Sequence, residues 1–489
     1  MIKLVLFLLF LAPSSFAQSS CDSDISSLAV RAGGRIKPMK VLAYETLKFL
    51  STEKKPFGLN YVQAFCKLSF QFFGQNNDLD LPIKIEHVEA KKLLNINEDA
   101  KSILFSDLSA NEMEVRSKYI SIKTSTPLKK ELNKLMTRLK IHKELTGGKT
   151  WTLIDPKTKN WKEMNAYSQA DFTKDLLQQR SLDKEVLNDT HKLELKFFNY
   201  KPFSYAMLFV LLAIFALVIF PSSKAAIFLT ASSIIIQVIG IVIRILISGR
   251  APITNMYETV MFSGFGALII ALILTVLKKD KIFLLGGLAY NFLCLLMMTL
   301  ANNMLDPAIK PLVPVLRDNF WLSTHVTTII LSYAALALSW ILANIALFQK
   351  IFNKESNDKR QSKIIYICIQ VGTVLLSAGV ILGGVWADYS WGRFWGWDPK
   401  ETWSLIVLLI YMAILHGRYT SWIKDKLFIP LCAAAFMSVM MAWFGVNYIL
   451  ASGLHSYGFS EGGAIFLGSL FAAQSLILVI SFAKDRLSS

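Results

Sequence analysis

Two hydrophobic regimes divide the chain. From about residue 203 onward the apolar residues come in runs near twenty long, at 203–220, 225–246, 256–277, 283–303, 325–347, 364–386, 403–420, 428–449 and 464–483. At ~1.5 Å per residue each run is long enough to cross a bilayer as a helix, so the pattern predicts nine transmembrane spans. Residues 18 to about 200 are polar, lysine-rich and free of any spanning run, which predicts a soluble domain. Inside it, apolar residues recur at helical spacing from Val41 to Leu50, just after a Gly33-Gly34 turn with basic flanks. The segments Trp151–Asp155 and Lys159–Trp161 flank Pro156-Lys157-Thr158 and suggest a small hairpin. A charged helical stretch from Gln169 to Leu193 leads toward the membrane.

The first 17 residues read as a secretory signal. Lys3 precedes an apolar core from Leu4 to Leu11, and Ser15-Phe16-Ala17 supplies a small-x-small cleavage site. An uncleaved anchor is the alternative reading. Cys21 follows Gln18-Ser19-Ser20, a poor lipobox, so no lipoprotein is assigned. Three parts follow: a signal peptide at 1–17, an extracytoplasmic soluble domain of mixed class at 18–200, and an all-α polytopic membrane domain at 201–489. Cys21 and Cys66 are the only cysteines of the soluble part; in an oxidising compartment they can form one disulfide. Without a C-x-x-C pair, a thiol oxidoreductase role is not expected.

Charge fixes the expected orientation. A formal net charge of +17 over 489 residues would suggest nucleic acid in a soluble protein, but in a polytopic one Lys and Arg mark cytoplasmic loops. With the soluble domain outside, nine spans put fourteen basic residues in the inner loops, from Lys224 to Arg486. The outer loops hold five: Arg250, Lys310, Arg317, Arg393 and Lys400. That bias agrees with the signal peptide, and no nucleic-acid partner is expected.

Between the sixth and seventh runs lies the densest chemistry. Five of the eleven tryptophans fall in Trp386–Trp403, which reads W-A-D-Y-S-W-G-R-F-W-G-W-D-P-K-E-T-W. An interfacial aromatic belt explains one or two tryptophans per helix end, not five in a glycine-punctuated loop. Gly392 and Gly396 allow sharp turns and leave room beside the backbone, so the indoles can form a shelf for a large flat ligand. Asp398, Pro399 and Glu401 fit a helix start with Asp398 as N-cap and Glu401 closing a capping box, a structural role that outweighs a catalytic one.

Of six histidines only His325, His416 and His455 lie in the membrane half. His325, in F-W-L-S-T-H-V, and His455, in A-S-G-L-H-S-Y-G-F, fall on the same face as the tryptophan stretch. Imidazole is a common haem-iron ligand, while a single histidine at a helix end is more often a hydrogen-bonded interfacial residue; both readings are open on the residues alone. His416 lies thirteen residues beyond Trp403, roughly 20 Å deeper at ~1.5 Å per residue. Ionisable groups there are costly and by default functional candidates, with a neutral histidine bonded to a neighbouring helix as the competing reading.

The sequence W-G-R-F-W-G-W-D resembles the tryptophan-rich "WWD" signature of haem-handling proteins of cytochrome c maturation, and its continuation P-K-E-T-W resembles the CcsA/ResC branch, from about Arg250 to Tyr457. The segment G-G-R-I-K-P at 33–38 is similar to segments on the outer side of some such proteins, though a turn before a helix is the favoured reading. The resemblance implies haem b as ligand or substrate, presented by Trp386, Trp391, Trp395, Trp397 and Asp398. His325 and His455 would be iron ligands of an outer site, and His416 an iron ligand of a transmembrane site whose second ligand comes from a partner. It further implies a CcsB/ResB-type membrane partner, an apocytochrome c with C-x-x-C-H as client, and a place in the bacterial inner membrane with the tryptophan loop on the periplasmic face. Arg250 and Glu258, around A-P-I-T-N-M-Y, would pair; Arg244 either snorkels outward or meets a haem propionate.

The function this implies is part of a holocytochrome c synthase, or haem lyase, in which haem moved from the cytoplasmic side receives the apocytochrome thiols at the outer loop. Two alternatives remain at this stage. One is an exporter or chaperone of the CcmC kind that delivers haem without attaching it; the other is a non-haem assembly factor whose tryptophans are only a belt. The chain has no C-x-x-C-H of its own and is not itself a c-type cytochrome.

Overall fold

The computed structural model describes residues 21, 25–124, 126–187, 189–221, 224–301, 304–312, 314–352, 358–450 and 463–488. The signal reading of 1–17 and the position of His455 therefore lie outside the described residues. The chain forms two compact units, Met1–Tyr200 and Lys201–Ser489.

In the first unit, short antiparallel pairs brace a mostly helical core. Strands β1 (Ala29–Ala32) and β2 (Arg35–Pro38) pair with Ala32 opposite Arg35. Gly33 and Gly34 make the two-residue turn with φ of 58° and 77°, the conformation that such a hairpin requires and glycine supplies without strain. Helix α1 (Met39–Leu50) follows at once, and α2 (Tyr61–Ser69) is opened by an Asn60/Gln63 capping box. A second pair, β3 (Pro82–Lys84) with β4 (Ser102–Leu104), and the long helix α3 (Pro127–Thr146) complete that side.

The hairpin expected around Pro156 is present as β5 (Thr152–Ile154) against β6 (Trp161–Glu163). Asp155 closes its turn by accepting the Lys157 and Thr158 amides. Trp151, fully buried, meets Phe65, Phe70 and Phe172 at ring distances of 5.2–6.2 Å. Burying an indole of roughly 200 Å² is worth about 5 kcal/mol at ~25 cal/mol per Å², before entropy. Cys21 and Cys66, both inside this core, are bridged.

The charged stretch from Gln169 is two helices, not one: α4 (Gln169–Val186) ends on an extended Leu187, and α5 (Thr190–Tyr200) begins afresh. Arg35 of the hairpin grips Glu194 of α5 through two 2.6 Å bonds, a fork-to-carboxylate pairing that also sets orientation.

In the second unit, nine helices among the described residues are long and apolar enough to cross a membrane. We number them as spans: first Pro202–Ile219, second Ala225–Ser248, third Met256–Lys278, fourth Ile282–Leu300, fifth Asn319–Ile351, sixth Asp358–Trp391, seventh Pro399–Tyr419, eighth Asp425–Tyr448 and ninth Gly463–Lys484. Small residues let neighbours approach closely: a methyl on Gly287 of the fourth span would meet Ala271 of the third at 2.3 Å, and one on Gly372 of the sixth would meet Leu336 of the fifth at 2.5 Å.

Polar side chains are matched across spans, as lipid demands. Gln237 and Asn291 exchange amide hydrogen bonds of 3.0 and 3.1 Å, and Gln474 accepts from Trp340 and Asn344. The eighth span is central, with 72% of its apolar window buried; the seventh is peripheral at 22%.

Candidate functional site

The tryptophan stretch is mostly helix. The sixth span continues to Trp391 and the seventh begins at Pro399, so the loop expected over 386–403 is only Gly392–Asp398. Trp386 and Trp403 belong to spans. Gly392, with φ 68°, stops the sixth span in the left-handed conformation that glycine adopts most readily, its amide bonded to Asp388 O at 2.8 Å. Gly396 leaves space for Arg393, whose guanidinium would collide with any methyl placed there.

The helix start has the expected grammar. Asp398 Oδ1 accepts the Lys400 and Glu401 amides at 2.9 Å, and Glu401 reaches back to the Asp398 amide. Glu401 also accepts the Gly396 amide at 2.6 Å and Arg393 Nη1 at 3.2 Å. One buried carboxylate thus holds both ends of the loop, and Asp398, 8% exposed, works as a cap.

The indoles do not lie in one plane. Trp395 and Trp397 stand edge to face, with centroids 5.9 Å apart and planes at 83°. Trp397 is 69% exposed and takes a φ of 57°, uncommon for a bulky residue and a conformation that costs energy unless its surroundings impose it. Trp391 sits under the Arg393 guanidinium at 5.9 Å. In place of a shelf, the structure has a pocket: Trp386, Phe394 and Trp395 line it together with His325, Tyr333 and Trp443. Trp391 and Trp397 are not among its lining residues.

His325 lies six residues inside the fifth span, not at its first turn as the apolar run suggested. It falls in a π-helical turn, Leu322–Val326. Trp443 falls in a second, Met441–Gly445, on the eighth span. Such turns are rare and cluster at functional sites; here both face one pocket. His325 Nδ1 is 2.9 Å from the carbonyl oxygen of Gly379 in the sixth span. A carbonyl can only accept, so Nδ1 carries the proton and Nε2 the lone pair, the state suited to a metal ligand oriented by a backbone group. Trp386 packs against the imidazole, ring centroids 5.7 Å apart. Gly383 is the floor: a methyl there would lie 2.6 Å from the His325 ring.

The far wall is held by polar contacts that sequence reading missed. Trp443 Nε1 donates to Thr259 at 3.2 Å, and Asn447 donates to Trp443 O at 2.6 Å. Trp443 lies five residues from the end of the eighth span, where it reads from sequence as an ordinary interfacial tryptophan. Lys400 also lines the pocket, although its sequence context marked it only as an outer-loop charge.

Glu258 pairs with Arg244, at 2.6 Å and nearly sealed from solvent, in place of the expected Arg250. It also accepts from the Thr254 amide and hydroxyl, while Arg244 Nη1 donates to Pro307 O. Arg250 Nη2 donates to Lys310 O at 2.6 Å. This buried cluster fixes the segment Thr254–Met256 that forms one pocket edge.

His416 is in the last turn of the seventh span, about 26 Å from Pro399 along the helix at ~1.5 Å per residue, at the end remote from the loop. It is exposed, as are Leu409 and Met412 on the same helix face. Its Nδ1 donates to Met412 O of its own helix at 2.7 Å, not to a neighbouring helix. No group of three or more potential metal-binding side chains occurs among the described residues.

Residues 253–455 match the family described as cytochrome C assembly protein, and every pocket residue named above falls within that segment. The chain is 34% identical over 276 residues to the cytochrome c biogenesis protein CcsA of Guillardia theta, covering 49% of this chain and 89% of that protein. It is 32% identical over 305 residues to the CcsA of Prochlorococcus marinus strain MIT 9301, covering 54% of this chain and 96% of that protein. It is also similar to protein NrfI of Wolinella succinogenes, 37% identical over 229 residues. That match covers 45% of this chain but only 25% of NrfI.

Proposed function

The chain belongs to the CcsA family of cytochrome c biogenesis proteins, and from that premise we propose that it presents haem in the pocket at His325 for covalent attachment to apocytochrome c. The observation that carries this reading is His325 itself, fixed by the Gly379 carbonyl with its lone pair on Nε2, in a pocket walled by Trp386, Phe394, Trp395 and Trp443. Aromatic walls suit a flat apolar macrocycle, and a neutral imidazole suits its iron. His455 is the proposed second ligand of this outer site.

Haem is the substrate here, and the protein supplies orientation. Each cysteine thiol of a C-x-x-C-H segment adds across one haem vinyl group: a C–S bond forms at one vinyl carbon, the thiol proton goes to the other, and no net oxidation occurs. Two additions give two thioether links. Trp391 and Trp397, in the same loop as Trp395 but outside the pocket lining, are proposed to meet the incoming apocytochrome. His416, exposed in the seventh span, is proposed to ligate haem arriving from the cytoplasmic side, opposite a ligand from a CcsB-type partner.

For localisation we infer the bacterial inner membrane, with the loop and the first unit on the periplasmic side. The excess of basic residues in the opposite loops supports this, as does the Cys21–Cys66 disulfide, a bond typical of oxidising compartments.

The test is haem content and attachment in the purified chain, with and without a CcsB-type partner, comparing wild type with His325→Ala, His455→Ala and His416→Ala. Loss of an imidazole-ligated optical spectrum in the first two, with no maturation of a co-expressed C-x-x-C-H apocytochrome, is expected. Haem bound normally with no attachment to any client would favour a carrier that delivers haem to another ligase. Unchanged haem and maturation in all three variants would return the tryptophans to an interfacial belt.

A further inference from the structure

Two indole donors at the pocket have no acceptor among the described residues. Trp386 Nε1 and Trp395 Nε1 are both buried and, among the described residues, neither has a hydrogen-bond partner. An indole nitrogen is a donor only, and buried donors are almost always satisfied. Both tryptophans line the pocket. An acceptor brought by the ligand would complete them.

Lys400 lines the same pocket. It is the second residue of the seventh span, where the helix dipole disfavours a cation. Its backbone amide is used by Asp398, and its ammonium makes no hydrogen bond among the described residues. The neighbouring carboxylates are already engaged: Glu401 accepts from Gly396, Asp398 and Arg393, and Asp398 caps the helix. Arg244, the arginine its position offered for a propionate, is 1% exposed and committed to Glu258 and Pro307. A cation beside apolar walls is costly. Asp398 is the carboxylate whose charge already reaches Lys400, and as it is bonded to the helix amides, an anionic ligand would add the hydrogen-bonded counter-charge that the helix N-terminus also favours.

We propose that Lys400, with the indole N–H groups of Trp386 and Trp395, forms a carboxylate-recognition edge that selects tetrapyrroles carrying free acid side chains and sets which edge of the macrocycle faces the seventh span. This rests on the haem reading of the pocket. The acid edge is held at Lys400, so the opposite edge of the ring, where substituents react, is turned away from it.

The experiment compares two probes on the purified full chain: iron protoporphyrin IX and its dimethyl ester, titrated by the Soret band against wild type, Lys400→Met, Lys400→Arg and His325→Ala. Wild type is expected to prefer the free acid by about tenfold or more, the scale of one charge-assisted hydrogen bond. Lys400→Met should remove that preference while keeping its affinity for the ester within about twofold, which also shows that the variant is folded; Lys400→Arg should retain the preference. Equal binding of acid and ester by wild type, unchanged in Lys400→Met, overturns the carboxylate edge and leaves the haem site standing. Failure of wild type to bind either probe, or binding of both without loss of the imidazole signature in His325→Ala, overturns the pocket reading itself and this inference with it.

Discussion

His325 and His416 belong to one helical bundle, yet their surroundings differ in every respect that matters to a ligand. His325 sits on a π-helical turn, takes its orientation from a carbonyl on another span, and faces aromatic walls from the sixth and eighth spans. His416 sits on regular helix, bonds only to the turn below it, and looks outward from a peripheral span. One histidine has its cavity built by this chain. The other is exposed on a peripheral span, and only a partner covering that span would make it the half of a shared site proposed above. The contrast teaches that a histidine count does not locate a site; the number of elements converging on the imidazole does.

His142 sharpens the point. It lies in α3 of the first unit, 2% exposed, stacked on Phe105 at 3.7 Å. Neither ring nitrogen has a hydrogen-bond partner among the described residues. It is buried more completely than His325, and among the described residues no second element offers its ring nitrogens a carbonyl.

The largest expected effect belongs to this residue and falls on stability. Burial pushes the His142 imidazole down to about 4 from its ordinary 6.5, against a smaller opposing pull from Asp80. Above pH 6.5 both folded and unfolded chains are neutral here and stability is flat. Between 6.5 and 4 the unfolded chain takes up a proton that the folded one refuses, so stability falls, by about 3 kcal/mol at ~1.36 kcal/mol per pKa unit. Hydrogen exchange across α3, corrected for intrinsic rates, should show protection lost over that window, and His142→Phe should flatten the dependence. A flat profile in the wild type would mean that the ring is not neutral and buried as described.

Next in size is His325→Ala, for which haem content of the purified chain should fall about 10–100-fold, the scale seen when a metal site loses its support. A normal optical spectrum in that variant would erase the difference between the two histidines. Gly383→Ala attacks the same site without touching the imidazole: its methyl would lie 2.6 Å from the ring, and the ring must shift by a few tenths of an ångström or more. A several-fold loss of haem with a shifted Soret band is expected, whereas Gly468→Ala, in open space on the ninth span, should be silent.

How much of this was legible in the chain depends on the range of the interaction. Spans announced themselves because a bilayer demands long apolar runs, and the Asp398–Glu401 box because capping is a local, three-residue event. The β5–β6 hairpin was readable for the same reason. Pairings across space were not: Arg250 lies eight residues from Glu258 and looked its natural partner, but the turn after the second span brings Arg244 to it instead. The pocket hid for a similar reason, since Tyr333, Trp443 and Lys400 come from three spans, and Trp443, like His325, sits on a π-helical turn. Trp391 and Trp397 share a motif with Trp395, but the left-handed backbone at Gly392 and Trp397 turns them elsewhere.

The smallest effect expected is the most discriminating. His416→Ala in the chain alone should leave haem content at the His325 pocket unchanged, because His416 lies in the last turn of its helix, about 26 Å from the loop at ~1.5 Å per residue. The same substitution in a chain co-purified with a CcsB-type partner should remove one haem equivalent, since the second ligand and the cover for the exposed face of Leu409, Met412 and His416 would come from that partner. Haem quantified per polypeptide in the four preparations separates the cases. A loss in the chain alone would mean that the seventh span completes a site by itself, and no loss in either preparation would leave its outward face as a lipid contact. Only the pattern of no change alone and one equivalent lost with the partner makes His416 the open half of a shared site, against the closed one at His325.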